Sequence, residues 1–153
     1  MASSKIPAVK AALVTKFRTL FPTGNSPEVY VTYGLPDSLA PDNIIAVMDA
    51  HSDQDFGQFG SSTRRREEHI TQTIVISCYM GGDSTAQQIV TEQAFSILEA
   101  FYVDTETGTT LPLGGLVREM HITGVQLTES TLANSAQGRV AELEVTLGIK
   151  VRI

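Results

Sequence analysis

The polar segment HSDQD, residues 51 to 55, contains residue types that bind metals or transfer protons in many enzymes. His51, Asp53 and Asp55 are spaced two apart, so their side chains share a direction if the segment is extended. A histidine with two carboxylates can hold a divalent metal or act as an acid–base pair. The sequence offers no second histidine or closing glutamate beside them, and a solvated polar segment is the commoner origin of this pattern. A small metal-dependent enzyme is therefore kept only as a lesser alternative.

The other residues that could take part in catalysis stand outside the known catalytic motifs. His69 and His121 fall in predicted strands and could pair across a sheet. A strand histidine bonded to a carboxylate or to water is nevertheless far commoner than a general base. The sequence contains no G-x-S-x-G nucleophile elbow and no P-loop. We therefore predict that the protein is not an enzyme and needs no cofactor or metal.

Net charge, cysteine content and the lack of long apolar stretches limit which partners and which cellular compartment the sequence predicts for this protein. Eleven Lys and Arg residues against seventeen Asp and Glu residues give a net charge of −6 and a pI near 4.9. The protein as a whole therefore repels phosphate backbones. The single cysteine, Cys78, excludes an internal disulfide. The sequence has no apolar stretch of membrane-span length and no signal-peptide core at its start, which predicts synthesis in a reducing cytoplasm and no membrane partner.

Hydrophobic periodicity predicts two helices and five strands. Apolar residues at helical spacing predict amphipathic helices at residues 4–21, with Ser3 or Ser4 as N-cap, and from Ser84 to about Tyr102. Alternation of apolar and polar residues predicts strands at 28–34, 44–50, 67–80, 116–127 and 141–153. The element order is therefore α-β-β-β-α-β-β.

The predicted strand at 116–127 changes phase at a glycine. Met120 and Ile122 alternate in step, whereas Val125 and Leu127 have the opposite parity. A β-bulge at Gly124 would absorb one residue and return both pairs to one face.

Strands that alternate in this way form an antiparallel sheet with one covered face, and two helices suffice to cover it. We predict a single domain over residues 1–153 with a two-layer α+β fold. Its mainly antiparallel, twisted sheet of about five strands carries two helices on one face. Thr71, Thr73, Glu142 and Glu144 lie on the opposite, polar face. A loop at about residues 50–67 is predicted to project from the domain.

Two phenylalanines stand in this predicted loop, at the start of the longest strand. Phe56 and Phe59 are followed by Gly57 and Gly60 in a polar segment and cannot easily reach the domain's own core. Large apolar groups that remain exposed tend to mark contact surfaces. We expect both rings to dock on another subunit, and the alternative is a loop that folds back and buries them.

An arginine run follows the phenylalanines, formed by Arg64, Arg65 and Arg66. Such charges can discourage unwanted strand pairing at a sheet edge, and they can also form salt bridges between subunits. Binding to nucleic acid has only this one short run in its favour, in an acidic protein. We assign the three arginines, with the two phenylalanines, to an intersubunit contact.

Five segments together have the order and type of secondary-structure elements that are found in a known protein family. They are the helix IPAVKAALVTKFRTLF, the strand pair in VYVTYGLPDSLAPDNIIAVMD, the long strand RREEHITQTIVISCYMGGD, the helix VTEQAFSILEAFYVD and the terminal strand AELEVTLGIKVRI. Across nearly the whole chain they resemble the tail terminator proteins of long-tailed bacteriophages, particularly those that infect actinobacteria. The family has no fixed motif whose residues could be carried over to this sequence.

The resemblance implies a structural protein of the virion, placed in the viral tail and assembled in the cytoplasm of the host bacterium. Such proteins form a homo-hexameric ring on the head-proximal end of the tail tube. The ring stops polymerisation of the major tail tube protein and presents a surface to a neck or head-completion protein. DNA later passes through its channel. Another neck or head–tail completion protein is the alternative.

The residues themselves suit a ring. A head-to-tail ring needs two different patches that meet, and the overlong strand with its loop is a candidate for one of them. Glu142 and Glu144 would repel DNA phosphates if the polar sheet face lined the channel. The same two residues could equally lie at a subunit contact.

Overall fold

Two helices and five strands follow one another in the predicted order, α-β-β-β-α-β-β, and form an α+β fold. The computed structural model describes residues 4–22, 28–36, 42–56, 66–82, 84–106, 112–131 and 138–152. The helices are α1 (Ile6–Leu20) and α2 (Ser84–Glu106), and the strands are β1 (Tyr30–Tyr33), β2 (Asn43–Phe56), β3 (Arg66–Gly81), β4 (Glu119–Thr131) and β5 (Gly138–Arg152). A short 3-10 helix occupies Pro112–Gly115.

The strands form one mixed, mostly antiparallel sheet in the spatial order β1-β2-β3-β5-β4. The first pair, β1 and β2, is parallel, and the other three pairs are antiparallel. The predicted long hairpin of the last two strands is confirmed by the pairing of Glu119 with Lys150 through to Thr131 with Arg139. Within the described residues, the outermost strands of the sheet are therefore β1, which has 4 residues, and β4, which has 13 residues.

The long strand β3 lies at the centre of the sheet, and this corrects the expectation that the overlong strand extends beyond the domain to offer a contact patch for a neighbouring subunit. Residues Glu67–Gly81 pair with β5, and Arg66 to Cys78 pair with β2. The neighbouring strands β2 and β5 are 14 and 15 residues long, so β3 is paired on both sides along most of its length. The predicted loop at 50–67 is also shorter than expected, because residues 50–56 and 66–67 belong to paired strands.

Two irregularities interrupt the strand pairing. The pairing of β4 with β5 shifts between Ile122 and Gly124, which confirms the predicted bulge and returns Val125 opposite Val145 on the core face. A second shift lies between Val47 and Ala50 of β2, and the sequence pattern gave no sign of it. Each bulge bends its strand and keeps the later residues in phase with the core.

Both helices pack on one face of the sheet, as predicted. α1 covers β1 and β2, and α2 covers β3, β5 and β4. The rings of Phe17 and Phe101 join the two helices, with centroids 4.7 Å apart and planes tilted by 37°. α2 continues to Glu106, beyond the expected end near Tyr102, because the first helix-breaking residue after Tyr102 is Gly108.

Candidate interaction surfaces

In the sequence, the predicted intersubunit residues fall at the end of β2, at the start of β3 and in the segment that joins these two strands. The backbone of Phe56 pairs with that of Arg66 and closes the described part of the β2–β3 hairpin. Phe59, Arg64 and Arg65 lie outside the described residues, as do the side chains of Phe56 and Arg66. The docking role of these five residues remains a prediction.

Of the predicted metal or acid–base cluster, the structure describes the side chains of His51 and Asp53, which form an exposed pair. His51 Nε2 lies 3.3 Å from a carboxylate oxygen of Asp53, and both side chains are largely exposed on β2. The side chain of Asp55 lies outside the described part of the chain. Among the described residues no three His, Cys, Asp or Glu side chains are grouped as a metal site requires.

Four charged or titratable residues form a row across the helix-free face of the sheet. Asp53 stands opposite His69, His69 opposite Lys150, and Lys150 opposite Glu119. The Lys150 ammonium lies 3.5 Å from the Glu119 carboxylate. His121 faces Gly148 instead of His69, so the two strand histidines do not form the cross-strand pair considered from sequence. A row of charged and polar side chains of this kind is typical of a solvated sheet face.

The two glutamates predicted to line a channel lie on this same face and are exposed. Glu142 stands between Ser77 and Thr128, and Glu144 stands between Val75 and Gln126. Their cross-strand neighbours are uncharged, which gives the middle of the face a negative character.

Part of the helix-free face is apolar, which the polar pattern of β3 and β5 did not predict. Ile44 and Ala46 on β2 are buried although no described helix covers this face. Tyr30 of β1 stands beside Ile44, and Tyr79 of β3 is half-exposed on the same side of the sheet. The helix-free face is therefore polar over β5 and β4, mixed over β3 and apolar towards β1.

A buried carboxylate joins α1 to the sheet, and sequence reasoning missed it. Glu68 is fully buried on β3, where one carboxylate oxygen accepts the backbone N–H of Lys5 at 2.7 Å. The other oxygen accepts the hydroxyl of Ser52 at 2.6 Å. Lys5 occupies the N-cap position of α1, while the hydroxyl of Ser4, one of the two expected N-cap residues, accepts the backbone N–H of Ile6 at 3.1 Å. Ser3 lies outside the described residues.

A buried glutamine holds the bulge in β2. Gln72 is fully buried on the core face of β3, and its side-chain N–H groups donate to the carbonyls of Met48 and Asp49 at 2.9 and 3.1 Å. These carbonyls belong to the residues that the bulge takes out of register. The amide replaces the missing ladder hydrogen bonds, since a buried carbonyl without a donor is costly.

The free cysteine belongs to the core. Cys78 is buried on β3, and burial raises the pKa of its thiol from 9.0 to about 12. The thiol therefore stays protonated at neutral pH, which suits a packing role and not a nucleophile.

An exposed apolar strip runs along the side of α2 that faces β4. The Thr91 hydroxyl donates to the carboxylate of Glu129 on β4 at 2.9 Å, which fixes this side of the helix. Phe95 and Tyr102 follow Thr91 at helical spacing and are 42% and 48% exposed. Val125 and Leu127 on the core face of β4 are also partly exposed. We call these four apolar residues the α2–β4 seam.

A scan against models of protein families and a search of curated proteins each find no match to this chain. Neither helix that the structure describes combines the length and apolarity needed to cross a lipid bilayer.

Proposed function

We propose that this chain is a structural virion protein of the tail-terminator type. It forms a homo-hexameric ring on the head-proximal end of the tail tube, stops polymerisation of the major tail tube protein and offers a surface to a neck or head-completion protein. The proposed role is assembly and not catalysis. Its support is the element order on which the resemblance rests, together with the shape of the sheet described below.

The observation that carries the proposal is a sheet with a different strand at each side. β1 is short and parallel to its neighbour, whereas β4 is long, antiparallel and bulged. A head-to-tail ring is built from one interface in which two unlike surfaces meet, so each subunit must carry both. Two unlike sheet sides on one small domain meet that requirement.

The helix-free face is assigned to the channel in this proposal. Glu142 and Glu144 lie at its centre and are exposed. Repeated around a ring, such carboxylates would repel the phosphates of passing DNA, so the genome would slide without binding. Contacts from Phe56, Phe59 and the three arginines to a neighbour are retained as a further prediction.

Addition to polymerising tail tube protein tests the proposal. The purified chain should stop tube elongation, and negative-stain electron microscopy should show a ring-shaped cap at one tube end. Light scattering follows the elongation rate. Tubes that grow at an unchanged rate with the chain in molar excess would overturn the terminator function, and binding to a neck protein instead would assign the chain to the head–tail joint.

A further inference from the structure

The charges on the helices and edge strands are segregated by sign. α1 contains Lys10, Lys16 and Arg18 and no Asp or Glu, and β1 contains no charged residue. α2 and β4 contain no Lys or Arg. Their described acidic side chains are Glu92, Glu99, Glu119 and Glu129, all exposed. The packing unit of α1 and β1 is therefore basic, and that of α2 and β4 is acidic.

These two units lie at opposite sides of the molecule. α1 packs on β1 and β2, and α2 packs on β3, β5 and β4. Since β1 and β4 are the outermost strands, four inter-strand spacings of about 4.8 Å separate them, or about 19 Å in all. We call the unit of α1 and β1 the basic side and the unit of α2 and β4 the acidic side. Among the described residues, Glu28 and Asp42 border the basic side, and Arg118 and Lys150 border the acidic side.

The acidic side carries the α2–β4 seam. Glu92, Phe95, Glu99 and Tyr102 are spaced by three, four and three residues, so the two carboxylates alternate with the two exposed rings along one side of the helix. Beside them, β4 has a strand partner on one side only within the described residues. An apolar strip bordered by charges of one sign, next to an open strand edge, has the composition of an interface centre with a polar rim.

The basic side carries a smaller apolar surface of its own. Tyr33 and Leu35, at the end of β1, are 52% and 77% exposed. The Lys10 ammonium lies 4.4 Å from the centroid of the Tyr33 ring, and Arg18 donates to the Val31 carbonyl at 3.4 Å. The cations of α1 are thus held beside the exposed apolar residues of β1.

We propose that the acidic side of one copy, centred on the α2–β4 seam, docks on the basic side of the next copy. The two sides carry opposite charges, and each side also has exposed apolar residues. The two surfaces of this one protein are therefore complementary. The contact joins unlike surfaces and is therefore head-to-tail. The inference rests on the proposed ring function and names the surfaces that build it.

Charge reversal on each side separately, followed by mixing, tests this contact. The acidic-side variant is Glu92→Lys with Glu99→Lys, and the basic-side variant is Lys10→Glu with Arg18→Glu. Mass photometry and sedimentation velocity measure self-association of each variant and of an equimolar mixture. Like charges then meet in each variant alone, so association should weaken at least about tenfold, because each exposed ion pair contributes up to about 1 kcal/mol.

The mixture should restore association. Every contact in an alternating assembly of the two variants joins opposite charges again, and a folding defect would not be rescued by mixing. The matched control, Glu142→Lys with Glu144→Lys, makes the same charge change on the helix-free face and should associate as the natural chain does. Thermal melting of every variant checks that it is folded.

Three results would overturn the proposed contact. They are reversal variants that associate as strongly as the natural chain, a mixture that fails to recover, and a natural chain that stays monomeric at every concentration reached. None of these results affects whether the chain caps tail tubes, which the elongation assay measures separately. Conversely, restored association in the mixture with unchecked tube growth would establish the contact and reject the terminator function.

Discussion

Two adjacent glutamates on β3 have opposite environments, and their comparison isolates what burial contributes. Glu68 is fully buried and accepts hydrogen bonds from Lys5 and Ser52. Glu67 is partly exposed on the other face and lies 3.6 Å from Arg118. Removing a buried acceptor leaves its donors without a partner, which costs more than the loss of an exposed ion pair.

We expect Glu68→Ala to lower the free energy of unfolding by about 3 kcal/mol, because the donors of Lys5 and Ser52 lose their buried acceptor. The matched variant, Glu67→Ala, should change it by no more than about 1 kcal/mol. Urea denaturation followed by circular dichroism measures both. Equal losses in the two variants would contradict the anchoring role of Glu68.

The buried polar residues are also what sequence reasoning missed at this scale. Glu68 and Gln72 occupy even positions of β3, in phase with Ile70, Ile74 and Ile76. The isoleucines identified the core face of β3, but a polar residue at an even position looks like a break in the apolar pattern and not like a buried functional residue. Their roles depend on the N-terminus of α1 and on the bulge in β2, which lie far away in sequence.

At the scale of the elements, two glycines differ in whether their position requires glycine: Gly82, which follows β3, and Gly124, at the bulge of β4. Gly82, at the turn between β3 and α2, has a φ of +141°, and an added Cβ would lie 2.7 Å from the Cβ of Ala86. Gly124, at the bulge of β4, has open space around an added Cβ and no positive φ. The turn thus needs glycine, whereas the bulge does not.

We expect Gly82→Ala to destabilise the protein by about 2 kcal/mol, through backbone strain and the collision with α2. Gly124→Ala should stay within about 0.5 kcal/mol of the natural chain. Thermal unfolding of the two variants under one set of conditions gives the comparison. A large loss for Gly124→Ala would show that the bulge depends on the glycine itself.

The elements also show how far periodicity carries. The alternation of β5 and the phase change in β4 predicted their faces, their hairpin and the bulge, because these features are local. The parallel pairing of β1 with β2 and the central position of β3 are long-range choices, and no local pattern encodes them. The expected outward reach of β3 was wrong for this reason: its length matched two partners that lie elsewhere in the chain.

For the whole molecule, the separation of basic and acidic sides would make the proposed self-association sensitive to salt. Two attractions are available to a neighbouring copy: opposite charges across the two sides, and apolar contact through the α2–β4 seam or the predicted contact residues Phe56 and Phe59. Salt weakens the first and leaves the second unchanged or stronger. The salt dependence therefore reveals which attraction dominates.

We expect self-association to weaken at least about tenfold between about 0.1 M and about 1 M NaCl, as the Debye length falls from about 10 Å to about 3 Å. Sedimentation velocity across this range measures it, with thermal melting at each salt concentration as the control for folding. The control variant with Glu142 and Glu144 reversed should show the same salt dependence, since its basic and acidic sides are unaltered. Association that holds constant or strengthens with salt would assign the contact to the apolar residues, because exposed opposite charges cannot keep their attraction under such screening.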